Sequence, residues 1–153
     1  MMKKVLYLTM VLGLVLMLTG AGIAGDSAPV SVSATVVGTC KFLTGGSISF
    51  ILDPSVGGNV NGTVTQPTFW CTKGASYTIT DDDGLYESGT THRMKHATED
   101  EYIPYSFSYT ATGSGNGRGN PITMNISSTV LGGDYLNASA GSYSDTVTLT
   151  ITP

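Results

Sequence analysis

Over residues 143–152 the chain alternates, with Tyr143, Val147, Leu149 and Ile151 on one face and mostly serine and threonine on the other. A period of two marks a half-buried β-strand. Tyr105, Phe107, Tyr109 and Ala111 alternate with Ser106, Ser108 and Thr110 in the same way. Ile122, Met124, Ile126 and Val130 alternate with Thr123, Asn125, Ser127 and Thr129, which predicts a further strand. Shorter strands are expected over residues 48–52, 68–72 and 76–80, each bounded by glycine, proline or aspartate. Val30, Val32, Ala34 and Val36 make one more alternating row. No window repeats its apolar positions every 3.6 residues, so about seven short strands between turns predict an all-β, antiparallel sandwich. The segments 57–66, 81–91 and 113–120 read as surface loops.

Before this pattern begins, the chain has a different character. Lys3 and Lys4 precede an apolar run over residues 5–18, which closes in the small residues Gly20, Ala21, Gly22 and Ala24. That layout predicts a signal peptide over residues 1–24, cleaved after Ala24. A transmembrane anchor is the rival reading. Thr9 and Thr19 interrupt the run and small residues end it, so no membrane anchor is expected in the mature form. With Lys3 and Lys4 removed, five basic side chains face eleven acidic ones, a net charge of −6. The five are scattered, which argues against a nucleic-acid partner.

Export also changes the reading of the two cysteines. In an oxidising compartment an even pair, Cys40 and Cys71, is normally a disulfide, with a free or catalytic thiol as the minor reading.

Candidate chemistry is sparse. Asp81, Asp82 and Asp83 before Gly84 suggest a calcium loop, but the alternating ligand spacing of an EF-hand and its closing glutamate are missing, and a polar turn is the default. His92 and His96 stand four apart, as a helical metal pair would, yet nothing nearby has helical periodicity. They read as solvated loop histidines. Glu99, Asp100 and Glu101 read as a solvated acidic loop. A serine nucleophile lacks both a GxSxG elbow and a separately placed histidine. No enzyme activity, cofactor or metal is therefore expected.

The regular row at residues 143–152 is followed only by Pro153, and another regular row opens the mature chain. A sandwich lacking its closing strand would leave an apolar groove and an unpaired edge, which must be covered to prevent aggregation. A strand donated by a neighbour covers such an edge, and head-to-tail donation builds filaments. On spacing alone, the alternative that residues 30–37 pair within their own sheet stands equally.

Several stretches resemble the spore coat protein U domain family, which includes archaic chaperone–usher pilus subunits. They are the N-terminal row followed by Cys40, then Ile48-Ser-Phe50 with Asp53-Pro54, and Cys71-Thr-Lys-Gly-Ala-Ser-Tyr77. Arg93-Met94 leading to Tyr105 comes next, and Gly141-Ser-Tyr143-Ser-Asp145 with its alternating tail closes the series. Ile51 and Leu52 depart from the family, which usually has a glycine and an aromatic there.

The resemblance implies an incomplete immunoglobulin-like sandwich over residues 38–153, a Cys40–Cys71 disulfide, and an N-terminal donor segment at 25–37. Val30, Val32, Ala34 and Val36 would fill the groove of the next subunit, against Tyr143, Val147, Leu149 and Ile151 of its last strand. It further implies a homopolymer, a periplasmic chaperone, an outer-membrane usher, and passage through the periplasm to a fimbrium at the cell surface for attachment or biofilm. The alternatives are a spore or cell coat role, or a monomeric secreted sugar- or ligand-binding module using Tyr86, Tyr102 and Tyr135 as exposed stacking platforms.

Overall fold

The computed structural model describes residues 25–153, so the expected signal peptide lies outside the described residues. Every strand in them falls within Val36–Pro153, a compact unit of its own. The architecture is the expected one: all-β, with every strand pairing antiparallel.

Phe69 and Cys71 point inward from strand β5 (Thr68–Cys71), which pairs with β1 (Cys40–Thr44) on one side and β10 (Ile122–Thr123) on the other. Cys40 and Cys71 face each other across this ladder and are joined, S–S 2.02 Å, which closes a loop with a sequence separation of 31. Such a loop contributes about 3–4 kcal/mol by restricting the unfolded chain. Tyr77 and Ile79 are the inward residues of β6 (Ser76–Asp81), which lies between β9 (Thr112–Ser114) and β13 (Leu149–Thr152).

A five-stranded sheet runs in the order β12 (Tyr143–Ser144), β7 (His92–His96), β8 (Tyr102–Tyr109), β11 (Ile126–Val130), β3 (Val60–Asn61). A two-stranded ribbon of β2 (Ser47–Ser49) and β4 (Thr63–Thr65) completes the set. Phe69, Cys71, Tyr77, Ile79, Met124 and Ile126 make one buried cluster, and Ile103, Val130 and Tyr135 make a second.

Four expectations need correction. The row at 143–152 is not one strand: β12 pairs with β7 in one sheet, β13 pairs with β6 in another, and residues 145–148 cross between them. The row at 122–130 is likewise split into β10 and β11, because the Gln66 amide donates to Ile126 O (2.8 Å) and its carbonyl accepts from Ile126 N (2.7 Å) at the break. The segment 57–66 is not wholly loop, since it holds β3 and all of β4. Finally, His92 and His96 are not solvated loop residues. They sit on β7 with 8% and 7% of their surface exposed.

Candidate functional site

Two adjoining cavities, of about 410 and 510 Å³, run between the edge of β2 and the edges of β12 and β13. Ile48, Phe50, Met94 and Tyr143 line both, so they form one groove. One wall comes from Ile48 and Phe50, the other from Tyr143, Val147 and Leu149, and Tyr105 and Phe107 of β8 lie between. β12 and β13 each occupy the edge of their sheet, which leaves their outer main-chain groups without a strand partner among the described residues.

The second wall is built without continuous main-chain pairing. Asp82 Oδ1 accepts from Thr148 N (2.8 Å) and from Gly84 N (3.1 Å). Asp145 Oδ1 accepts from Leu85 N (2.9 Å) and Thr146 N (2.8 Å), while its Oδ2 accepts from the Tyr105 hydroxyl (2.7 Å). Two carboxylates thus clasp the loop after β6 to the crossing segment. Gly84 (φ 87°) lies against the Asp145 carboxylate, and a Cβ there would collide with it. Hydrogen bonding from Thr148 holds the Asp82 carboxyl below its usual range. Burial, then the bond to Asp145, pushes the Tyr105 phenol far above its ordinary value.

At the far end, Tyr143 donates to Glu101 Oε2 (2.7 Å), which also accepts from Ser139 N (2.9 Å). The Tyr143 bond lowers the Glu101 carboxyl, whereas burial and Glu101 push the Tyr143 phenol up to about 12. Gly141 is required beneath His96, because a Cβ there would overlap Nε2. His96 Nδ1 accepts from Thr98 N (3.2 Å) and Glu99 N (2.9 Å), and its buried Nε2 has no partner among the described residues. Each specified position of Gly141-x-Tyr143-x-Asp145 therefore has a physical task in this wall.

Of the residues expected to form an acceptor groove, Tyr143, Val147 and Leu149 line it. Ile151 does not. It sits opposite Ile79 in the β6–β13 ladder and packs against the first core cluster. Val30, Val32, Ala34 and Val36 belong to no strand and are exposed, Val30 at 85% and Val32 at 91%. Tyr86 and Tyr102 are partly exposed, with the Arg93 guanidinium 4.4 Å from the Tyr102 ring centre. Tyr135 is not an exposed platform: it is 1% exposed, and its hydroxyl donates to Gly58 O (2.9 Å). Glu99 and Asp100 are exposed as expected, whereas Glu101 is engaged with Tyr143.

Among solved structures, the chain is similar to one in the crystal structure of the CsuC–CsuE chaperone–tip adhesion subunit pre-assembly complex from archaic chaperone-usher Csu pili of Acinetobacter baumannii. Identity is 20% and the TM-score 0.45, over 76% of this chain and 40% of that one, so the chain spans less than half of that relative. No curated protein sequence matches it. The Spore Coat Protein U domain model matches residues 26–150, and the chain belongs to that family.

Proposed function

We propose that the protein is a structural subunit of a chaperone–usher fimbria, polymerising by donor-strand complementation to serve surface attachment or biofilm. The observation that carries this reading is the open apolar groove bounded by unpaired strand edges. Val30, Val32, Ala34 and Val36 of one copy are the occupant we assign to the groove of the next, since this exposed row has the period of two that a strand laid in a groove needs. Each valine fully buried contributes about 1.5–3 kcal/mol, and new main-chain bonds satisfy the edges. Before assembly a periplasmic chaperone covers the groove, and an outer-membrane usher exports the subunits. Membership of the family supports this assignment.

The test is Val32→Asp with Val36→Asp in one chain. Two charges entering apolar pockets without partners should abolish fibres while leaving the subunit recoverable with its chaperone. Normal filaments by electron microscopy, or unchanged SDS-resistant ladders, would overturn the reading. The Tyr86–Tyr102 pair with Arg93 and Lys95 favours a second reading, a monomeric sugar-binding module. A protein that stays soluble and monomeric without any partner would select it.

A further inference from the structure

His92 and Asp81 are the two ends of one connection: Asp81 closes β6 and His92 opens β7. The intervening chain brings these ends together, with His92 Nε2 3.0 Å from Asp81 Oδ2. Asp83 reaches the same point from the turn between them. It is the one non-glycine residue with positive φ (59°) among those described. One ligand atom from each of Asp81, Asp83 and His92 lies within 4.8 Å of the other two.

Two of the three ligands are already oriented. The Tyr109 hydroxyl donates to Asp81 Oδ1 (2.8 Å), leaving Oδ2 for the shared point. The His92 ring, 8% exposed, packs against the rings of Tyr105 (5.5 Å) and Phe107 (5.3 Å). Its Nε2 is thereby aimed at the carboxylates, and no other protein hydrogen bond reaches the ring among the described residues. The hydroxyl that holds the adjoining carboxylate is the outer-shell support that metal ligands receive, while aromatic packing alone fixes the imidazole.

We propose that Asp81, Asp83 and His92 form a divalent transition-metal site of the zinc class, outside the groove and independent of the fimbrial reading. The donor set selects the ion: an imidazole nitrogen suits zinc and its neighbours, whereas calcium and magnesium take oxygen ligands. Bonds of about 2.0–2.2 Å put tetrahedral ligand atoms about 3.3–3.6 Å apart. The His92–Asp81 pair, at 3.0 Å, has to open by only a few tenths of an ångström, and the exposed Asp83 side chain would close onto it from within 4.8 Å. Water fills the fourth position, and any proton shared between Nε2 and Asp81 is displaced when the ion enters.

The experiment is calorimetric titration of zinc chloride into the exported protein in its isolated assembly state, untagged and stripped with EDTA. One zinc per chain is expected, with no saturable heat from calcium or magnesium. Asp83→Asn, which suits the left-handed backbone, should weaken zinc by about tenfold or more without changing the metal-free unfolding midpoint. His92→Phe should abolish the binding. A plain Asp81–His92 ion pair makes no use of Asp83. Equal zinc affinity in wild type and Asp83→Asn therefore overturns the proposal, as does the absence of saturable zinc binding, retention of zinc by His92→Phe, or calcium bound more tightly than zinc.

Discussion

Strands β6 and β13 lie side by side and carry the same alternation of apolar and hydroxyl residues, yet they are buried to different depths. Tyr77 and Ile79 of β6 are 8% and 1% exposed, whereas Leu149 and Ile151 of β13 are only partly buried. Among the described residues β6 has a partner strand on both sides, while β13 has one on one side only. A period of two states which way a side chain points, not whether anything fills the space it points into. The difference between the strands is the missing neighbour, which under the proposed function a second copy would supply.

The comparison breaks most visibly in the core. Phe69→Ala empties a filled position and should cost about 3–5 kcal/mol in urea unfolding. Leu149→Ala should cost the single chain only about 1–2 kcal/mol, because part of that side chain already faces an open groove. In fibres the order should turn, with Leu149→Ala weakening subunit joints and leaving longer ladders depleted in SDS. Equal costs in the single chain would mean that the groove is not open.

A smaller effect is expected in the clasp of the open wall. Gly84→Ala puts a Cβ against Asp145 at a left-handed position and should cost about 1–3 kcal/mol, read as a lowered unfolding midpoint. The smallest effect is pH-dependent. The Asp82 carboxyl is lowered in the folded chain from its usual 3.8, so its contribution is complete above that value and fades as pH falls through the lower folded value. Asp82→Asn should lower the unfolding midpoint slightly at neutral pH, leave it unchanged below the folded value, and so flatten the acid limb of the curve.

The fold class and the disulfide were legible in the sequence, and the alternating row put Tyr143, Val147 and Leu149, which line the cavity, on one face, because alternation is a local signal and two cysteines admit a single pairing. β7 was not, although His92-Arg-Met94-Lys-His96 alternates correctly once histidine is counted as a buried residue. Counting it as polar hid the strand and, with it, the approach of His92 to Asp81. The sheet switch at 145–148 was hidden for another reason. Threonine and valine continue the rhythm there, and only the side chains of Asp82 and Asp145 take the ladder's place. Distant carboxylates leave no periodic trace.

One consequence follows from the position of the disulfide. Thr72 ties down the chain just before it, donating from Oγ1 to Val37 O (3.2 Å) and accepting from Thr39 N (3.1 Å). In a fibre of the proposed kind, tension entering through the donor segment meets these contacts and then the covalent Cys40–Cys71 link. The pull passes directly from residue 40 to residue 71 and bypasses the chain between them. Strand β1 is then spared from being peeled off, and the bond serves as a tensile anchor for each link of the polymer.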